Sequence, residues 1–249
     1  MEFIVFIAGI FLGSFLGALG WRLPKGKPVA WDRSRCEYCG HTLSWRELIP
    51  VVSFLWQGAR CAHCRRQLSW LYPASELVTG VGFVLLFRAS GGFSPLFVVE
   101  SIVFGAFVVL FVADTLYQIL PDAPLLVALF GILGLFFLTP PSAWQVHIAS
   151  AAGAGAFFAF LHFFTRGAGM GFGDVKLAAV LGFLLGYPGI IIALYAAFLT
   201  GAIVGVILMV RRKLKLKSRI AFGPFLLLGA AIAILWSNEI LTWWSGFFV

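Results

Sequence analysis

Long apolar runs separated by short polar breaks fill most of the chain. A helix needs about 20 predominantly apolar residues to cross a bilayer core of about 30 Å. Runs that meet or approach this length lie at roughly 3–21, 74–90, 95–114, 122–139, 144–165, 175–187, 189–210 and 221–240. The pattern predicts about eight transmembrane helices in an all-α polytopic membrane protein. One substantial polar stretch, residues 22–73, interrupts the series. The expected organisation is a first transmembrane helix (1–21), a polar insertion (22–73) and a seven-helix membrane part (74–249).

Composition agrees: 61% hydrophobic and 11% charged residues in a chain of 249 is far from the balance of a soluble domain. Charge placement sets orientation, because Lys and Arg near span ends stay on the cytoplasmic side. With the insertion inside, Arg22, Lys25, Lys27, Arg33, Arg35, Arg46, Arg60, Arg65 and Arg66 are cytoplasmic. So are Arg166, Lys176 and the six basic residues of 211–219, which leaves only Arg88 of the eighteen outside. The same alternation requires residues 175–210 to be two spans divided around Tyr187, Pro188 and Gly189. As one span they would place RRKLKLKSR outside. The first run opens MEFIVF without a preceding basic residue and reads as a retained, reversed anchor. Gly9, Gly13 and Gly17, and later Gly201 and Gly205, recur every four residues, a spacing that lets helix backbones approach closely.

The insertion holds all four cysteines, Cys36, Cys39, Cys61 and Cys64, as two C-x2-C pairs 21 residues apart. Two such pairs complete a tetrahedral zinc site. Disulfides are the competing outcome, but the basic residues place the insertion in the reducing cytosol, which favours a structural zinc in a ribbon-like fold. Four cysteines leave no open position for water, so a catalytic zinc is not expected. The stretch also repeats itself: RCEYCGHTLSW at 35–45 and RCAHCRRQLSW at 60–70 match at an offset of 25. His41 and His63 adjoin the pairs as solvated neighbours. A segment of about 50 residues is small for a core of its own and gains from a metal staple. Trp31, Trp45, Trp56 and Trp70 suit contact with the membrane interface and its lipids.

Only ten residues are acidic, so carboxylates at helix mouths invite a functional reading. Asp114 closes an apolar run before TLYQILPD, and Asp174 closes GMGFGD before the next. The topology puts both on the inner side, where they meet if spans three and six are neighbours. Two carboxylates sharing a site cannot both ionise cheaply, so one holds a proton while the other acts as base toward water. Such a pair hydrolyses amides without a metal. Each residue has a plainer role to weigh: Asp174 as a helix cap, and Asp114 as a carboxylate at a helix C-terminus, where the dipole disfavours it. Asp122 is placed to cap span four. Span six, at about 20 Å, falls short of the bilayer core, which implies that the GMGFGD loop dips into the membrane. Glycines at 167, 169, 171 and 173 would give that loop its tight turns. Lys176 either supports the pair by charge or snorkels to water. His147 and His162 read as hydrogen-bonding residues. The basic run 211–219 reads as an orientation signal touching anionic lipid, with no nucleic-acid role.

Several motifs in order carry a resemblance to the type IV prepilin peptidase family: GSFLGALGWRLPKG at 13–26, the paired CxxC segment with ELIPVVSFLWQGARC and SWLYPASE, ADTLYQILPD at 113–122, GMGFGDVKL at 169–177 and FGPFLLLG at 222–229. The resemblance implies a GxGD-type aspartic endopeptidase of the bacterial inner membrane with Asp114 and Asp174 as its catalytic pair. It implies prepilin or pseudopilin substrates whose short basic leaders are cut at the cytoplasmic face. It also raises zinc at the four cysteines. Many relatives methylate the new N-terminal amine with S-adenosylmethionine; Glu76, in YPASE, is the acidic residue to associate with that step, its plainer role being a first-turn carboxylate on the helix dipole. The opening motif departs at Gly17, where the family usually has Asn. The rival classes are a transporter with intramembrane carboxylates and a non-catalytic assembly factor. Against a transporter, both aspartates lie at one face and no repeated half with broken helices is found.

Overall fold

The computed structural model describes residues 1–27, 33–167, 170–211 and 221–246. Trp31, Gly169 and almost all of the basic run 211–219 lie outside the described residues. Among the described residues eight α-helices follow one another: α1 (Glu2–Arg22), the short α2 (Val52–Trp56), α3 (Leu71–Ala89), α4 (Pro95–Tyr117), α5 (Asp122–Leu138), α6 (Trp144–Phe164), α7 (Phe172–Val210) and α8 (Gly223–Ser245). Six of them, α1, α3, α4, α6, α7 and α8, are long and apolar enough to cross a membrane, and α5 is a shorter apolar helix of 17 residues. The chain is a multi-pass membrane protein with a small polar insertion between α1 and α3.

The division predicted within 175–210 is present as a break inside α7. Its 39 residues would reach about 58 Å as a straight helix, close to twice a bilayer core. Gly186 (φ 62°, ψ −173°) and Tyr187 (φ −90°, ψ 139°) leave helical geometry, and Pro188 restarts the helix, where a missing N–H is harmless. Only glycine adopts the Gly186 conformation readily. The break orphans carbonyls in the turn before it. His147 of α6 answers one of them, its Nδ1–H donating to the Phe183 carbonyl at 2.9 Å. The six long helices, the shorter α5 and this break together give the eight apolar helical segments read from the pattern.

The chain divides into two compact units. The first, Met1–Leu116 with Leu126–Leu138, is organised by the pairing of α1 with α3. A side chain at Gly9 would sit 2.8 Å from the Gly80 Cα, and one at Gly13 would sit 2.9 Å from the Glu76 Cα. Backbone meets backbone there, as the small-residue spacing predicts. Gly20 serves α4 instead: its Cβ would fall 2.7 Å from Val112. At the end of the pair remote from the insertion, Arg88 of α3 grips Glu2 of α1 through Nε at 2.8 Å and Nη2 at 2.5 Å. The one arginine assigned to the outer side is therefore neutralised within the fold. Glu100, close by in sequence, accepts a hydrogen bond from the Ser90 hydroxyl at 2.6 Å.

The second unit comprises Tyr117–Leu125 and Thr139–Val249. Here α7 packs on α6 and α8, and again glycines set the approach. A Cβ at Gly182 would lie 2.5 Å from the Ser150 carbonyl, and one at Gly229 would lie 2.1 Å from that of Ala193. Gly201, by contrast, meets only Phe222 and Phe225 side chains at ordinary distance, so its place in a four-residue spacing does not make it a backbone contact.

Gly9→Val and Gly13→Val should each cost about 1–3 kcal/mol by overpacking, while Gly153→Ala, with open space around it, should be neutral or slightly stabilising. Thermal unfolding of the detergent-solubilised variants distinguishes the two classes.

Candidate functional site

Asp114 lies in the last turn of α4 and is 4% exposed; Asp174 lies in the first turn of α7 and is 7% exposed. The first unit carries Asp114 and the second carries Asp174. Helix α4 runs to Tyr117, one turn past the predicted end, and Gln118 then turns the chain with φ 55°, the left-handed stop common after helices. Helix α7 starts at Phe172, ahead of Asp174, so Gly171 takes the cap position and Asp174 sits three residues in. Its Oδ2 accepts a hydrogen bond from the Gly171 N–H at 3.1 Å. Asp174 is therefore not the cap read from the sequence but a first-turn carboxylate that bonds back to the cap residue's N–H, which occupies one oxygen. Oδ1 is buried and has no hydrogen-bond partner among the described residues.

The glycines around Asp174 act for different reasons. Gly167 has φ 71° and ends the turn after α6. Gly171 is extended, at φ −74° and ψ 154°, and needs no glycine-only conformation. Gly173 is constrained by packing: a Cβ there would fall 2.9 Å from that of Leu120. Leu120, in the turn after α4, thus presses onto the backbone beside Asp174. The same turn is tied down by Lys176, whose Nζ donates to Asp122 Oδ1 at 2.6 Å. His162 holds the loop from the α6 side, with its Nδ1–H donating to the Met170 carbonyl at 2.8 Å and its ring edge-on to Phe172. Leu120 and His162 escaped the sequence reading as organisers of this loop. An apolar residue inside the polar turn QILPD was the one available signal for the first.

The four cysteines come together, with their Sγ atoms all within 4.8 Å of one another and Cys36 to Cys64 at 3.9 Å. A tetrahedral zinc with Zn–S bonds of about 2.3 Å requires sulfurs about 3.8 Å apart, so the cluster fits the ion. The sequence repeat is a structural repeat. The Cys36 N–H donates to the His41 carbonyl and the Cys61 N–H to that of Arg66; Gly40 donates to Cys36 and Arg65 to Cys61; Leu43 donates to Ser34 and Leu68 to Ala59. Each knuckle is closed by one bridge, Arg35 with Thr42 and Arg60 with Gln67. Amide N–H groups of Cys64 and His63 draw the Cys61 thiol down to about 7, while Cys39 in the same cluster shifts the other way, up to about 11. The His41 and His63 rings lie 3.6 Å apart beside the knuckles. Trp45, Trp56 and Trp70 are all exposed.

Glu76, on α3, is 8% exposed. Its Oε2 accepts the Val51 N–H at 2.7 Å, and the Ser14 hydroxyl bonds the same carboxylate. It lines a cavity of about 190 Å³ between α1, α3 and the insertion, whose walls also include Trp21, Tyr72, Cys36 and Cys61. Helix α3 begins at Leu71 and has no acidic residue in its first turn, so the first-turn dipole role read for Glu76 does not hold; it ties the insertion to the membrane helices instead.

Two family models match the chain: the bacterial peptidase A24 N-terminal domain over residues 7–89 and the type IV leader peptidase family over residues 101–206. Among named relatives, the prepilin leader peptidase/N-methyltransferase of Bacillus subtilis is 33% identical over 244 residues, covering 97% of this chain and 96% of that protein. That of Aeromonas hydrophila is 30% identical, covering 97% and 92%, and that of Dickeya chrysanthemi is 30% identical, covering 96% and 93%. No solved structure matches the chain significantly.

Arg65, at φ 57°, occupies the left-handed position that Gly40 fills in the other knuckle. Removing its Cβ should relieve strain of about 1 kcal/mol, so Arg65→Gly should slow hydrogen exchange at the Cys61 and Leu68 amides, and Gly40→Ala should speed it at Cys36 and Leu43.

Proposed function

The chain belongs to the type IV leader peptidase family, and on that footing we propose that it is an aspartic endopeptidase with Asp114 and Asp174 as its catalytic pair. Its substrates are prepilins or pseudopilins, and it removes their short basic leaders at the cytoplasmic face of the bacterial inner membrane. The observation that carries the assignment is Asp174 Oδ1, buried and unpartnered among the described residues. An unsatisfied buried oxygen costs free energy, and intramembrane carboxylates mark working sites. The fixed Oδ2 aims the other oxygen, so the carboxylate meets water or a peptide in a set orientation.

The chemistry is that of two carboxyl groups sharing one proton. One carboxylate draws a proton from water as the oxygen attacks the scissile carbonyl, and the other carboxyl donates to that carbonyl oxygen. Collapse of the adduct with protonation of the amide nitrogen releases the leader and frees an N-terminal amine. The substrate's apolar helix reaches the site laterally through the inner leaflet. Residues 74–249 carry the pair, and the basic insertion and loops support the cytoplasmic orientation. Neither rival class, transporter or non-catalytic factor, gains support from relatives named for peptidase activity.

Cys36, Cys39, Cys61 and Cys64 hold one structural zinc, which staples the insertion and leaves no open coordination position. Exposed tryptophans on the insertion favour contact with interfacial lipid; no nucleic-acid partner is proposed. A second activity completes the reading: methylation of the freed amine with S-adenosylmethionine as donor, in the region of Glu76.

Asp114→Asn and Asp174→Asn should each lower prepilin cleavage in lipid vesicles by about 10²–10⁴-fold, with the double variant no worse than the singles because the two act as a unit. Full cleavage by either single variant would remove the pair. Metal analysis of the purified protein should find about one zinc per chain. Cys61→Ser should lower that content and loosen residues 59–68 to hydrogen exchange while the membrane helices stay protected.

A further inference from the structure

The insertion carries an apolar hairpin that the proteolytic chemistry does not use. A 3-10 turn (Trp45–Leu48) leads through Ile49 and Pro50 into α2, and the two leave Trp45, Leu48, Val52, Leu55 and Trp56 exposed, Trp56 by 89%. The opposite side is packed: Phe54 is buried, with the Trp70 ring edge-on to it at 4.9 Å.

The depth of this hairpin follows from the pairing of α1 with α3. Helix α1 has 21 residues from Glu2 to Arg22, about 31 Å of helix, which matches a bilayer core and puts Arg22 at its edge on the insertion's side. Gly13 lies nine residues before Arg22, about 13 Å deeper, and Gly13 is the residue that packs on the Glu76 backbone. Glu76 in turn accepts the Val51 N–H. A glutamate side chain is shorter than that depth, so the Val51 amide lies below the end of α1. At this level Leu12 and Phe15 of α1 and Leu77 and Val78 of α3 are exposed as well, and the hairpin face continues the surface that these helices turn to lipid. The backbone at the apex suits a place without water, where an unpaired amide has no solvent to answer it. Pro50 has no N–H to satisfy, the N–H groups of Val52, Ser53 and Leu55 donate to the carbonyls of Pro50, Ile49 and Val51, and the Val51 N–H is taken by Glu76.

We propose that residues 45–56 form a re-entrant finger, held by Glu76, that penetrates the leaflet on the insertion's side, with Leu48, Val52 and Leu55 among acyl chains and Arg46, stacked over the Trp45 ring at 5.3 Å, on an anionic headgroup. The inference rests on the lipid contact proposed above for the insertion and turns a surface contact into a penetrating one. Lipid is the occupant because of the depth, the continuity with α1 and α3, and the charge: Arg46, Arg60, Arg65 and Arg66 are all exposed along the insertion, which matches a negatively charged headgroup layer. The insertion is then fastened in the membrane plane at a third point besides its two ends.

Quenching of a tryptophan reporter, in the full-length protein in vesicles of phosphatidylethanolamine and phosphatidylglycerol, tests the depth. Val52→Trp and Leu55→Trp, both at exposed positions, are each compared with wild type, so that the added emission belongs to one residue. Lipids brominated in mid-chain should quench that emission about twofold or more beyond lipids carrying a nitroxide on the headgroup. Glu76→Leu, which leaves the Val51 amide unpaired, should reverse the order, whereas Glu76→Gln, which keeps an oxygen for it, should not. Stronger quenching from the headgroup at both reporters would overturn the finger and leave the surface contact standing. Quenching by neither lipid would overturn both and make a protein the occupant. An order unmoved by Glu76→Leu would overturn Glu76 as the anchor.

Discussion

The close approach of α1 and α3 is the constraint from which the first unit follows. Lipid gives helices no hydrophobic reason to associate, so their affinity depends on fit. At Gly9 and Gly13 that fit is backbone on backbone. Once the two helices are paired, the ends of the insertion are held side by side and its two knuckles need close only a short loop. The cavity lies where the same helix face continues with Gly17 and Ala18, facing both α3, through Tyr72, Ser75 and Glu76, and the insertion. Pairing and cavity both lie along one stripe of small residues on α1.

The second unit obeys the same requirement with a different outcome. Helix α7 is packed on both sides through Gly182 and through Gly229 of α8, which fixes where it must lie. It is too long for one crossing, and it breaks where Gly186 permits and His147 satisfies the exposed Phe183 carbonyl. The first half is consequently short, and its N-terminal turn, with Asp174, is braced by Leu120, Lys176 and His162. The backbone beside the Asp174 carboxylate is thereby held from three directions while one of its oxygens has no hydrogen-bond partner among the described residues.

Much of this was legible in the chain. Run lengths and basic residues located the spans and the α7 break, since hydrocarbon thickness and charge retention act on composition alone. The cysteine spacing and the offset of 25 located the two cysteine knuckles, and the matching hydrogen bonds at Cys36 and Cys61 show that the repeat was structural. What stayed hidden depended on partners distant in sequence. Gly173 looked like a turn residue but is small because of Leu120. Gly201 shared a spacing with true packing glycines yet faces ordinary side chains. Glu100 had no visible partner until Ser90 was brought to it. Asp174 looked like either a cap or an acid, and its two oxygens divide between a capping bond and an unpaired burial.

If the four cysteines take up the proposed zinc, the doubled knuckle governs how the ion is acquired. A single C-x2-C knuckle supplies two of four ligands, and a chain with only one could saturate an ion only by meeting another molecule. With both knuckles on one chain, the second pair of sulfurs is present at an effective concentration in the millimolar range, set by the connecting loop. Loading then becomes independent of how sparsely the protein is dispersed in its membrane. A scarce enzyme can mature alone.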